Sequence, residues 1–216
     1  EHYFAKGFKR ISAAANENNR SFAESWLSEF RTAFEALGGE IVSAPFFDSG
    51  AASHAPIIDA MLAPRPDALL FIANAVDAAR LAQQARRQAP KLPIGASEWA
   101  STEQLIELGG DVVEGLLIVQ NYDRDDGSER FRAFSDAYFK RFQVNPGYSS
   151  VSAYDATTVV LKALKMRSKG ETLKVAALRS GPYAGLQQEM VFDANGDTTR
   201  KVFFTEIRGG RYMKLQ

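Results

Sequence analysis

Glu98 and Trp99 stand just after the apolar run Leu92–Ala96, so a carboxylate and an indole leave the same strand end together. An anion beside an aromatic face suits a ligand ammonium. Ser21 and Phe22 follow another apolar run, Lys9–Ala15, and open an amphipathic segment. Free backbone amides in the first turn of a helix there are a ready place for a carboxylate. Asn74 follows a third run, Ala68–Ala73, and opens a further helix. Together Ser21, Phe22, Asn74, Glu98 and Trp99 supply contacts for the two charged ends and the apolar body of a small zwitterion. Each has a plainer reading: Phe22 as the first rung of a core stripe, Ser21 and Asn74 as helix caps, Glu98 as a solvated carboxylate. What joins them is that they fall on adjacent strand-end loops.

Other chemistries find less support. Neither G-x-G-x-x-G nor G-x-x-x-x-G-K-[ST] follows a predicted strand, and the first loop, Asn16 to Ser21, has no glycine for a pyrophosphate to approach. No cofactor is expected. Gly95-Ala96-Ser97-Glu98-Trp99 lies between strand and helix as a nucleophile elbow does. Trp99, however, takes the place of the second glycine, and both histidines, His2 and His54, precede the serine. Two distant histidines make a poor metal set. Asp193, Asn195 and Asp197 resemble the opening of a calcium loop without its distal glutamate. A hairpin turn at Asn195-Gly196 accounts for them. The chain therefore reads as a binding protein with no catalytic residue.

The elements that position these residues alternate. Strands are predicted at Lys9–Ala15, Glu40–Phe47, Ala68–Ala73, Leu92–Ala96 and Val113–Gln120, separated by helices at Ser21–Leu37, Pro56–Leu62, Val76–Gln88 and Thr102–Leu108. That order predicts an α/β fold, a parallel sheet with helices on both faces, in which ligands bind outside the carboxyl ends of the strands. Phe22, Trp26, Phe30, Ala33 and Leu37 predict the apolar stripe of the first long helix. Ser21 with Glu24, and Ser101 with Gln104, have capping-box spacing. Tyr3 to Gly7 reads as the end of a helix closed by a glycine, which predicts that the sequence is a fragment of something longer. At Tyr122 to Gly127 a polar stretch marks a lobe boundary. Helices at Glu129–Phe142, Val151–Lys165 and Leu173–Leu178 follow, then strands at Gln187–Phe192, Thr199–Ile207 and Tyr212–Leu215. Phe131, Phe134, Tyr138 and Phe142 on one helix, and Val151, Tyr154, Leu161 and Leu164 on the next, form stripes that need a partner surface.

The 216 residues carry 26 Lys plus Arg and 26 Asp plus Glu, for zero formal charge. A nucleic-acid partner calls for a basic excess, which is absent. No apolar run reaches the roughly 18 residues of a membrane helix. Cysteine is absent, which removes disulfides and thiolate chemistry.

The run from Lys9 to Tyr122 resembles the second lobe of the branched-chain-amino-acid type of periplasmic binding protein, the extracellular receptors of ABC importers. The resemblance rests on NNRSFAESWLSEFRTAFEALGGEIV, PRPDALLFIANAVDAARLAQQARR, LPIGASEW and GGDVVEGLLIVQNYD. It continues through SAYDATTVVLKAL and VFDANGDTTRKVFFTEI, and so covers nearly the whole chain. It implies a type I periplasmic binding fold, truncated at its N-terminus. Residues 1–122 would form the ligand-binding lobe, 123–182 a helical segment of the other, mostly missing lobe, and 183–216 strands returning to the first. By position, Phe22 matches an aromatic residue that covers the ligand side chain, Asn74 an aromatic or polar contact, and Glu98 an acid that takes the ligand ammonium. Ala23 departs from a common glycine, and Asn74 is not aromatic, which leaves the ligand open. The implied function is solute binding for an ABC permease in the periplasm or outside the cell, with an amino acid or a related small carboxylated molecule as ligand. Self-association of the fragment is expected. Rival readings are the effector module of a receptor or transcription regulator, and an enzyme on a βα scaffold.

Overall fold

The computed structural model describes residues 1–215. Its elements run α1 (His2–Ala5), β1 (Arg10–Asn16), α2 (Arg20–Ala36), β2 (Glu40–Ser43), β3 (Phe46–Phe47), α3 (Ala55–Leu62), β4 (Ala68–Ile72), α4 (Ala75–Gln88), β5 (Ile94–Ala96), α5 (Glu103–Gly109) and β6 (Leu117–Gln120). There follow α6 (Glu129–Phe142), α7 (Tyr148–Met166), α8 (Leu173–Arg179), β7 (Tyr183–Ala184), β8 (Glu189–Met190), β9 (Phe203–Arg208) and β10 (Arg211–Lys214). The fold is mixed α/β with a mostly parallel sheet flanked by helices, in the order β10-β9-β6-β5-β4-β1-β2, with β3 paired to the end of β1. β1 pairs in parallel with β2 and β4, β4 with β5, and β5 with β6; β9 and β10 form an antiparallel hairpin.

β4 shows why the layers form. All five of its residues are buried, and alternate side chains leave opposite faces of a strand. Leu69 and Phe71 pack with Ile58 and Met61 of α3 and with Ala78 and Leu81 of α4. Ala68, Leu70 and Ile72 pack with Tyr3 of α1 and with Ala23, Leu27 and Phe34 of α2. A strand covered on both faces reads as a continuous apolar run.

Several local expectations change. The predicted strand Glu40–Phe47 is split into β2 and β3 around Pro45, which has no amide to donate to a ladder. Neither capping box forms. α2 begins at Arg20 with Asn19 at its N-cap, and Glu24 pairs with Arg20 at 2.9 Å instead of reaching back. α5 has Thr102 at its N-cap, and the Ser101 hydroxyl donates to the Glu98 carbonyl at 2.6 Å. The buried face of α2 is Ala23, Leu27 and Phe34, while Phe22, Trp26 and Phe30 are only half-buried and Ala33 and Leu37 are exposed. The helix is thus rotated from the predicted stripe, because the small Ala23 is what fits against the sheet.

The chain forms two compact units, one of Glu1–Gln120 with the chain from Phe204 onward, the other of Asn121–Phe203. The return expected at 183 therefore comes later. β7 and β8 pair with each other in the second unit, and the first sheet is rejoined only by β9 and β10. Within the second unit Phe131, Val151, Tyr122 and Leu186 form one cluster, and Val159, Tyr183 and Met190 another. Phe134 of α6 meets Tyr154 of α7 at 5.0 Å between ring centroids, so part of each predicted stripe covers the other. Phe142, Leu161 and Leu164 stay exposed. The Asp193 carboxylate accepts from the amides of Asn195, Gly196 and Asp197, which makes this segment a closed hairpin turn.

Gly95 on β5 has no room for a side chain, since a Cβ there would sit 1.4 Å from the Tyr3 hydroxyl. Gly95→Ala is expected to cost about 1–3 kcal/mol through overpacking, read as a lowered midpoint in urea unfolding; adding Tyr3→Phe should recover part of it. An unchanged midpoint would show that Tyr3 does not pack there.

Asp155 of α7 is buried, and its Oδ1 accepts from the Leu186 amide at 2.8 Å. Burial raises this carboxyl above its ordinary value, against the opposing pull of that amide, Arg200 and Arg130. A raised acid favours the folded state while it is protonated, so its contribution is full at low pH and is lost as pH rises through the folded value. Asp155→Asn keeps the acceptor and removes the charge. Melting scans should show a gain of about 2–4 °C at pH 7 that shrinks in acid. A gain independent of pH, or a loss at pH 7, would contradict this assignment.

Candidate functional site

The carboxyl ends of β1, β3, β4 and β5 form a rim, and two side-chain groups stand on it. The first is polar. Asp77, in the first turn of α4, is 1% exposed, and its Oδ2 accepts from Asn16 at 3.0 Å, from Asn74 at 2.8 Å and from the Ser49 hydroxyl. Asn16 reaches Ser49 as well, and its Oδ1 accepts from the Asn19 amide at 2.9 Å. Asn74 caps α4, its Oδ1 accepting from the Asp77 amide at 3.0 Å. Both ends of the Asn74 side chain are therefore engaged with Asp77, as the capping reading has it. A buried carboxylate is tolerated only when it is hydrogen-bonded, and here three loops supply donors to Oδ2.

The second group is aromatic and acidic. The Trp26 indole N–H donates to Oε2 of Glu98 at 2.9 Å across 72 residues of sequence. Phe22, one turn before Trp26, meets Trp99 edge to face at 5.4 Å. α2 is thereby fastened to the 3-10 turn Glu98–Ala100 at two points. Trp26 stacks on Phe30 at 5.6 Å and Phe30 on Phe34 at 5.4 Å, which continues the ridge down the helix. An open groove of about 700 Å³ runs along this ridge, with Asn19, Ser21, Phe22, Trp26 and Phe30 in its lining. Ser21 is exposed beside it at the start of α2, where no side chain caps the first turn. The amides of that turn face the rim with the positive end of the helix dipole behind them.

The structure thus brings Phe22, Glu98 and Trp99 together, puts Ser21 beside them, and sets Asn74 in the neighbouring polar group. Trp26 and Asp77 join the rim without a sequence signal that marks them as site residues. Trp26 reads from the sequence as core stripe, although its spacing of four from Phe22 puts both rings on one helix face, and an indole N–H near a core needs a partner. Asp77 gives only the capping spacing with Asn74 three residues before it, because its other two donors, Asn16 and Ser49, come from loops far apart in sequence. Ser97, the elbow candidate, is fully buried and not presented to solvent. Chemically, the group offers a half-buried carboxylate, three aromatic faces and uncapped helix amides.

A family model described as periplasmic binding protein matches residues 2–211. Among solved structures the chain is similar to a leucine-binding protein, LivK, from Thermotoga maritima, with 24% identity and a TM-score of 0.89 over 99% of this chain and 61% of that one. It is similar to LivJ from Streptococcus pneumoniae in complex with isoleucine, with 20% identity and a TM-score of 0.83 over 99% and 63%. It is also similar to a solute-binding protein from R. palustris in complex with benzoate, with 16% identity and a TM-score of 0.83 over 99% and 59%. At these identities the likeness establishes the fold, and the chain spans roughly three-fifths of each of those proteins. No curated protein sequence matches. The match over nearly all of its length shows that the chain belongs to the periplasmic binding protein family.

Proposed function

We propose that this chain acts as a solute-binding protein of an ABC importer, in the periplasm or outside the cell, and holds an amino acid or a similar small carboxylated solute. The observation that carries this reading is the rim group itself: the Glu98 carboxylate among Trp26, Phe22 and Trp99, beside the uncapped start of α2. In it Glu98 takes an ammonium, the rings take the apolar body, and the α2 amides take a carboxylate. The solutes named for the three similar structures, leucine, isoleucine and benzoate, share a carboxylate and an apolar body. A permease that reads the ligand-bound form is the partner. Ligand shifts such a protein toward a closed form only through contacts stronger in that form. Binding rather than catalysis is the role we assign, and Asn74 contributes by holding the rim in register.

A thermal-shift panel of amino acids, aromatic acids and amides tests this. An amine-bearing acid should raise the melting temperature, and Glu98→Gln should weaken it about tenfold or more, as loss of a charge-assisted bond does. Equal affinity in the variant would remove Glu98 from the site.

The exposed Phe142, Leu161 and Leu164 carry a second proposal, that this chain self-associates through α6 and α7. Sedimentation velocity should show dimers or larger species at micromolar concentration, and Leu161→Glu should dissolve them. A single monomeric species across that range would refute it.

A further inference from the structure

Glu98 differs from six other glutamates on this chain. Glu17, Glu24, Glu35, Glu40, Glu171 and Glu206 each pair with an arginine. Glu98 receives instead one neutral donor, the Trp26 indole, on Oε2. Among the described residues no protein donor reaches Oε1, and no cation pairs with the carboxylate. A neutral donor orients a carboxylate and leaves its charge uncancelled.

The rest of the geometry keeps that orientation fixed. Trp26 is held by its stack on Phe30, at 17° between ring planes. The backbone of Glu98 is held by the Ser101 hydroxyl on its carbonyl and by the Phe22–Trp99 contact next door. An aromatic side chain has only two side-chain torsions to restrain, so the indole is an inexpensive way to pre-set the acid.

We propose that Trp26 is a positioning residue for ligand recognition: it locks Glu98 so that Oε1 meets a cationic amino group on the solute, and it thereby makes the site select amine-bearing acids over the same acids without the amine. This rests on the solute-binding reading above and adds to it the residue that sets amine selectivity. Trp26 touches the acid, and the acid touches the ligand.

Trp26→Phe is the informative variant, because it keeps a ring to stack on Phe30 and removes the donor. In nitrogen-15 correlation spectra of the labelled chain, the two tryptophans give two indole signals, and the one lost in Trp26→Phe identifies Trp26. Glu98→Ala should move that signal upfield and speed its exchange with water, whereas Glu98→Gln, which keeps an acceptor, should restore much of the protection. The wild type and Trp26→Phe are then titrated with L-leucine and L-phenylalanine, and with 4-methylpentanoate and 3-phenylpropanoate, the same skeletons without the amine. Trp26→Phe should weaken the amine-bearing acids about tenfold and leave the other pair nearly unchanged.

A merely structural tryptophan would weaken both pairs alike, and that result overturns the proposal. So does an indole signal indifferent to Glu98→Ala. If none of the four acids binds wild type, the ammonium role falls with the solute reading, while the indole response still decides whether Trp26 and Glu98 are paired.

Discussion

A carboxylate with almost no solvent contact is the constraint on which the rim of this protein depends. Asp77 has to be hydrogen-bonded where it lies, and its partners come from the end of β1, the loop after β3 and the start of α4. Removing any one of them would leave a buried charge short of a donor, which costs far more than a hydrogen bond contributes. The three loops therefore hold one another. Asn16 passes the constraint on, because its carbonyl accepts from Asn19 and so fixes where α2 begins. The place of Phe22 and Trp26 follows from that start, and through them the setting of Glu98.

The rotation of α2 is the second determinant. If Phe22, Trp26 and Phe30 faced the sheet, as simple apolar spacing suggests, the rim would have no aromatic ridge. Ala23, Leu27 and Phe34 take the buried positions instead. The helix has more apolar residues than its contact with the sheet uses, and the surplus stands at the groove.

The layered fold was legible because its signal is local. β4 is an unbroken apolar run, α4 has a clear stripe behind an asparagine cap, and α6 has the bounds that its pattern predicts. Capping spacing misled at Ser21 and Ser101, where a neighbouring residue, Asn19 or Thr102, took the N-cap. The rim acids and aromatics could be singled out one by one, since a residue just past a strand end lies at the rim wherever the sheet places it. Their pairing could not, because Trp26 and Glu98 are 72 residues apart, and nothing in either segment encodes the other. The late return to the sheet at β9 escaped for a related reason: β7 and β8 look like any short strands, and only pairing decides which sheet they join.

Trp26 and Trp99 are the only two tryptophans in the sequence, and both stand on the rim of the first unit. Ultraviolet emission excited at the red edge of protein absorbance thus comes from this small region alone. A denaturation curve followed that way would record the loss of the β1–α2 and β5 loops and be blind to the unit from Asn121 to Phe203, whose optical signature is carried by tyrosine and phenylalanine. Unfolding of the whole chain needs a backbone probe beside it, and any gap between the two curves measures how independently the two units melt.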